Sequence, residues 1–228
     1  MLTAENKRAP IETSRANLEL YNASDESFCS RYVTMDETWA HHFDPETKLQ
    51  SMCWKHPLSP PPVKFRRVAS VGKVMASVFW ESEGVLLVDY LEQGKTVTGV
   101  YYAELIQKLR AVIREKRRGK LTRGVLFHQD NAPAHTSHAA MAAIRDCGFE
   151  LLNHPPYSPD LAPSDFHLFR KLKESLRGRV FEDNSGVIAA IDTWFQGQDK
   201  EFFLNGIRAL QHRWEKCIQL RGDYIEKL

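Results

Sequence analysis

"GVLFHQDNAPAHTSHAAMAAIRDCGFELLNHP", residues 124–155, decides the fold. "GVLFHQD" is a short apolar run that ends on an acid, Asp130, and reads as a strand. "NAPAHTSHAAMAAIRDCG" reads as a helix, with Pro133 suited to its first turn and Gly148 to its end. "FELLNHP" returns to a strand. A strand alternating with a helix in this way predicts parallel pairing.

Upstream, "SRYVTMDETW" alternates, with Val33 and Met35 pointing one way and Thr34 and Asp36 the other, as a strand does. "KVMASVFW" and "GVLLVDYL", joined by "ESEG", make a β-hairpin. "VYYAELIQKLRAVIREKRRGK" carries Tyr102, Leu105, Leu109 and Val112 at helical spacing. Near the start, "NLELYNASDESFC" suits a helix and a turn. Downstream, the prolines of "HPPYSPDLAP" forbid regular structure. "SDFHLFRKLKESLRG" is then a helix with Ser164 as its N-cap. The last stretch is helical, with Phe203, Ile207, Leu210, Trp214 and Ile218 in one apolar stripe. The order predicts an α/β domain, a mixed sheet flanked by helices, with a helical C-terminal part.

Composition bounds the function. The 228 residues are 43% hydrophobic and 26% charged, an ordinary globular balance. A net charge of +2 announces no polyanion partner by itself. Cys29, Cys53, Cys147 and Cys217 lie far apart without a C-x-x-C pair, which argues against a zinc ribbon or disulfide framework. No apolar run reaches membrane-spanning length and the N-terminus is polar, so the expectation is a soluble intracellular chain without a signal peptide or a membrane partner.

Three carboxylates sit on three regular elements: Asp36 within a strand, Asp130 at a strand end and Asp165 in the first turn of a helix. Sites in open α/β sheets gather beyond the carboxyl ends of strands. Carboxylate oxygens suit hard divalent cations. Two such ions about 4 Å apart can promote phosphodiester cleavage. Turn and capping chemistry alone commonly places aspartates at such positions, and on spacing alone it is the favoured reading. Asp160, in the turn sequence "SPDLAP", is expected to bond backbone N–H groups and not a cation. A rival set for zinc is His128, Asp130, His135 and His138, although it matches no H-E-x-x-H pattern. The blander alternative is that these histidines bond backbone groups or neighbouring carboxylates.

Basic residues cluster. Residues 108–123 hold eight Lys or Arg against one Glu, and residues 170–179 hold five against one. Such patches bind phosphate backbones without sequence preference, and a solvated helix face is the competing reading. The candidate DNA contacts are Lys64, Arg66 and Arg67, then Arg114, Arg117, Arg118, Lys120 and Arg123, then Lys171 and Lys173. "REKRRGK" also has the form of a nuclear localisation signal. Trp39, Trp54 and Tyr157 are candidates for stacking on bases, with core packing the competing role for Trp39.

"VTMDETWAHHFDPE", "HQDNAPAHTS", "YSPDLAPSDFHLF" and the closing "WEKCIQLRGDYIEK" together resemble the catalytic domain of mariner-family transposases. The 34 residues between Asp130 and Asp165 match that family's spacing between its second and third catalytic aspartates. The resemblance implies a ribonuclease H-like fold over residues 31–228, with residues 1–30 a remnant of an interdomain linker. It implies that Asp36, Asp130 and Asp165 hold two Mg²⁺ or Mn²⁺ ions. It implies nicking at transposon ends and strand transfer into target DNA, hence DNA integration and a nuclear location. The inserted proline-rich and basic loop, 44–72, falls where the family carries a loop that reaches the partner subunit. The family's two helix-turn-helix units have no counterpart in these 228 residues, so a weakened homodimer and poor discrimination of transposon ends are expected. Two alternatives stand beside this. One is a domesticated nuclease or DNA-repair factor related to a methyltransferase–transposase fusion. The other is a non-catalytic DNA-binding or dimerisation remnant.

Overall fold

The computed structural model describes residues 4–46 and 72–225. In chain order these form α1 (Ala4–Ala23), α2 (Asp25–Arg31), β1 (Tyr32–His41), β2 (Lys73–Glu81), β3 (Gly84–Tyr90), α3 (Gly99–Lys116), α4 (Lys120–Arg123), β4 (Val125–His128), α5 (His138–Asp146) and β5 (Phe149–Leu152). A 3-10 turn (Pro159–Leu161) and a π-helical turn (Ser164–Phe169) follow. The chain ends in α6 (Arg170–Leu176), α7 (Asn184–Gln196) and α8 (Lys200–Gln219).

The sheet order is β3-β2-β1-β4-β5. The hairpin expected from "ESEG" pairs β2 with β3, and β2 also runs antiparallel to β1. β4 is parallel to both β1 and β5, so the strand–helix–strand reading of residues 124–155 holds. The result is the expected mixed sheet flanked by helices.

Alternation along the strands builds two cores, one on each face. Val33, Met35, Phe79 and Phe127 pack against Tyr102, Leu105, Leu109 and Ile113 of α3 and Ile144 of α5. Tyr32, Ala40, Val78 and Trp80 face the other way, onto Phe166, Leu168 and Leu172 and onto Phe203, Ile207, Leu210 and Trp214 of α8. The predicted stripe of α8 is therefore its buried face, with Ile218 partly buried at its edge. Burying one such side chain contributes about 1.5–3 kcal/mol.

Residues 1–30 were expected to be a linker remnant. Helices α1 and α2 lie on the domain, with Leu18, Tyr21, Phe28 and Cys29 in the same core as Trp214. Tyr21 and Phe28 meet the Trp214 ring edge-on, with centroids 6.4 and 6.0 Å away. Such pairs add about 0.5–1.5 kcal/mol beyond burial.

Two helix starts differ from the sequence reading. Residues 131–137 are irregular, with a turn at 133–136, and α5 begins only at His138, where the Ser137 hydroxyl accepts from Ala140 N–H. The Ala132 carbonyl gathers the His135 and Thr136 N–H groups at 2.9 and 3.1 Å, which closes a separate turn around Pro133. At its far end the expected stop holds: Gly148 takes φ +70°, a left-handed cap. Ser164 does not cap a helix. Its hydroxyl is buried and accepts the Trp80 indole N–H at 3.0 Å. The Asp165 and Phe166 N–H groups turn instead to the Ala162 carbonyl, at 3.0 and 3.1 Å.

The inserted segment leaves and re-enters at one point, because His42 N–H donates to the Gly72 carbonyl at 2.9 Å. Lys64, Arg66, Arg67, Cys53 and Trp54 lie outside the described residues.

Candidate active site

β1 is the central strand and runs on past its neighbour. Its pairing with β4 ends at Thr34 opposite His128, so the parallel register carries Asp130 level with Asp36, just beyond the last paired residues. The Thr34 hydroxyl donates to the His128 carbonyl at 3.1 Å and ties the strands together there. Asp36 alternates onto the face that also carries the π-helical turn, where the Trp80–Ser164 bond anchors Asp165. Insertion of a π turn into a helix often marks a functional position. Asp165 is exposed and lines a cleft of about 460 Å³ together with Asp130, Asn131, His154 and Tyr157.

The three predicted carboxylates are thus brought to the carboxyl end of the parallel strands. Burial pushes the Asp36 carboxyl well above the ordinary range, and the negative charges of Asp165, Glu37 and Asp130 push it further. Asp36 Oδ1 also accepts Glu37 N–H at 2.7 Å. Asp130 behaves oppositely. Burial opposes its ionisation, but the hydrogen bond from His135 and the N–H of Ala132 hold it below the usual value. Both of those bonds land on Oδ1, at 2.5 Å from His135 Nδ1 and 3.0 Å from Ala132 N.

His135 is 1% exposed, and its other nitrogen meets Glu37 Oε1 at 3.1 Å. Burial alone would discharge it, yet its hydrogen bonds to Asp130 and Glu37 raise it to about 9, so it is a cation at neutral pH. The rival zinc set is not assembled. His128 is buried, with Nδ1 2.5 Å from Tyr32 Oη and Nε2 3.0 Å from His154 Nδ1. His138 is exposed on the first turn of α5. Burial drives His128 well down and takes His154 to about 4, so that pair stays neutral.

Among the described residues, no three His, Cys, Asp or Glu side chains close into a ready cage. Asp130 and Asp165 border an open cleft instead, and Asp36 lies near enough to feel the charge of both. Their chemistry still fits a hard divalent ion: the donors are carboxylate oxygens, and the mutual repulsion felt at Asp36 is what a cation relieves. Asp160 has a separate task. It is 8% exposed, and its Oδ2 accepts the Ile225 N–H at 3.0 Å, which pins the C-terminal segment to the proline-rich loop.

The basic candidates divide. Lys171 and Lys173 are exposed on α6, immediately after the turn that carries Asp165. Arg114, Arg118 and Arg123 are exposed at the opposite end of the sheet. Lys120 leaves the list of DNA contacts, because it is 2% exposed. Its ammonium donates to Glu81, to the Ser30 carbonyl at 2.7 Å and to the Tyr32 carbonyl at 3.3 Å. Arg117 is likewise drawn onto Glu81. Glu81 lies level with Val33 at the amino end of β1, about 10 Å along the strand from Asp36. Trp39 is 39% exposed with Lys73 Nζ 3.9 Å from its ring centre, and Tyr157 is 77% exposed, so neither is a core residue.

Sequence reading missed Glu37 and His154. Glu37 has no signal beyond adjacency to Asp36, and His154 none beyond its place before the prolines.

Residues 44–123 match a family model described as "Transposase (partial DDE domain)". The chain is 36% identical over 202 residues to the mariner Mos1 transposase of Drosophila mauritiana, covering 88% of this chain and 58% of the relative. It is 30% identical over 226 residues to the human histone-lysine N-methyltransferase SETMAR, covering 99% of this chain and 32% of that protein. Among solved structures, the catalytic domain of Mos1 superposes with a TM-score of 0.82 at 32% identity, covering 99% of this chain and 98% of that one. The Mos1 paired-end complex with Mn gives 0.89 at 33% identity, covering 99% and 65%. The chain therefore spans little more than half of the Mos1 transposase and nearly all of its catalytic domain, and it belongs to the mariner transposase family as a catalytic domain of that family, with a ribonuclease H-like fold.

Proposed function

We propose that the chain performs divalent-metal-dependent DNA cleavage and strand transfer, acting on transposon ends and target DNA. The observation that carries this is the placement of Asp36, Asp130 and Asp165 at one end of the sheet, from a central strand, a strand end and a π-helical turn. The similarity to Mos1 structures described as a paired-end complex with Mn, a paired-end complex with Mg and a strand transfer complex supports it.

The three aspartates would hold two Mg²⁺ or Mn²⁺ ions, which supply an activated water and neutralise charge on the phosphate when bound. The chain's own residues define where that chemistry occurs. The pairing of Asp36 with Val78 of β2, together with the β1–β4 pairing that ends two residues earlier at Thr34, holds the Asp36 backbone in place. His135 and Ala132 N–H orient Asp130. The buried Trp80–Ser164 bond fixes the turn from which Asp165 projects. Lys171 and Lys173 offer phosphate contacts beside that turn, and Arg114, Arg118 and Arg123 form a second basic surface. Lys64, Arg66 and Arg67 remain candidate contacts on the inserted segment.

The chain acts as a homodimer, with the 44–72 insertion reaching its partner. The insertion's shared exit and return at His42 and Gly72, at the far end of the strand that carries Asp36, support this. Its place of action is the nucleus, where the DNA is. "REKRRGK" is poorly suited to be the import signal, since Arg117 and Lys120 are held by Glu81.

The likeness to SETMAR across 99% of the chain favours a second reading, a host-captured nuclease that cuts without transposing. Supercoiled plasmid nicking in Mg²⁺, Mn²⁺ or EDTA tests the first claim: the cut must appear with either metal and vanish in EDTA. Cleavage that survives EDTA, or none in either metal, refutes it. Joining of a pre-cut transposon end to target DNA separates the two readings.

A further inference from the structure

His135 bridges the elements that carry two of the three carboxylates. It is almost fully buried, 1% exposed, with one ring nitrogen on Asp130 Oδ1 at 2.5 Å and the other on Glu37 Oε1 at 3.1 Å. Glu37 follows Asp36 on β1, and Asp130 follows β4, so the imidazole cross-links the two strands just where their backbone pairing ends. The residue is itself held at its ring and at its backbone. Tyr102 of α3 lies against it, with centroids 4.1 Å apart. The Tyr102 hydroxyl donates to Gln129 Oε1 at 2.6 Å, and Gln129 Nε2 donates to the His135 carbonyl at 3.2 Å.

The consequence falls on Asp130. Its two hydrogen bonds within the described residues both land on Oδ1, from His135 and from Ala132 N–H. That fixes the carboxylate plane and leaves Oδ2 for the cleft that Asp130 shares with Asp165. Outer partners that orient a ligating carboxylate commonly change metal affinity 10–100-fold when removed.

We propose that His135 is a positioning residue, which sets the orientation of Asp130 and its separation from Asp36 and thereby the affinity of the site for a divalent cation. This rests on the reading of the three aspartates as metal-binding groups. Asparagine and glutamine separate the two halves of the bridge: an asparagine amide reaches the place of Nδ1, and a glutamine amide that of Nε2.

Mn²⁺ alone is titrated into the chain by calorimetry, and plasmid nicking is measured beside it. His135→Ala is expected to weaken Mn²⁺ binding at least tenfold and to slow nicking similarly. His135→Asn should recover most of both, because the bond to Asp130 returns. His135→Gln should recover neither. Equal recovery by both amides, better recovery by glutamine, or unchanged Mn²⁺ binding in His135→Ala overturns the proposal. A wild-type chain that binds no Mn²⁺ instead overturns the functional reading beneath it.

Discussion

Replacing Lys120 by methionine distinguishes a structural lysine from a DNA contact. The substitution keeps the apolar stem and deletes the ammonium, which donates to Glu81 and to the Ser30 and Tyr32 carbonyls inside the protein. Burial presses this lysine downward, and Glu81 is the main group that keeps it charged. Removing one partner of a buried ion pair costs about 3–5 kcal/mol. Arg117 still donates to Glu81 in the variant, so the carboxylate is not left alone and the lower bound applies. A loss of about 3 kcal/mol in a chain of this size lowers Tm by roughly 6–12 °C. Calorimetric or fluorescence melts measure that shift. DNA binding titrated against salt should keep its slope, because no phosphate contact is lost. A Lys120→Met protein that melts within 2 °C or so of wild type, with a salt slope reduced by about 1, would refute the assignment.

Three further outcomes follow from the same geometry. Burial and the neighbouring carboxylates raise the folded-state pKa of Asp36, so its ionisation destabilises the fold in full above that pKa, and the penalty shrinks as pH falls below it and is gone once pH is below the ordinary carboxylate value. Without divalent ions, Asp36→Asn should therefore melt higher than wild type near pH 8, with the gap closing towards pH 4; a gap that widens on acidification contradicts the burial and repulsion that raise Asp36. Ser164→Ala leaves the buried Trp80 indole N–H without its acceptor, costing about 1–3 kcal/mol, and should slow nicking by loosening the turn that carries Asp165; unchanged melting and rate would count against that link. Asp160→Ala strands the Ile225 N–H and should cost about 1–3 kcal/mol while leaving Mn²⁺ affinity in place, so a weakened titration with an unchanged melt would reverse the roles of Asp160 and Asp165.

The strands were legible because a period of two is hard to imitate, and the apolar faces of β1, β2 and α8 are clean. Parallel pairing of β4 with β5 followed from the helix between them. The centrality of β1 did not, since no local pattern tells which strands adjoin across the sheet. The residue type of Ser164 suits a cap, but a tryptophan 84 positions earlier in sequence claims its hydroxyl, and the helix widens into a π turn. Pro133 suits a helix's first turn, but residues 131–137 close local turn bonds onto Asp130 and Ala132 that periodicity does not register. Lys120 sat in a run of basic residues and looked solvated, whereas its burial depends on Glu81, a residue of the hairpin. The three aspartates were nameable from the sequence; the imidazole that orients one of them was visible only as a histidine near an acid.

The central claim is that Asp36, Asp130 and Asp165 act together as one metal-dependent centre. Its most direct test compares plasmid nicking in Mn²⁺ by wild type, Asp36→Asn, Asp130→Asn, Asp165→Asn and, as a control from the same proline-rich region, Asp160→Asn. The account predicts that each of the first three variants loses cleavage by two orders of magnitude or about 3 kcal/mol in barrier while remaining folded, and that the control cuts at a rate near wild type. Cleavage at wild-type rate by any one of the three, in a protein that melts normally, would contradict it.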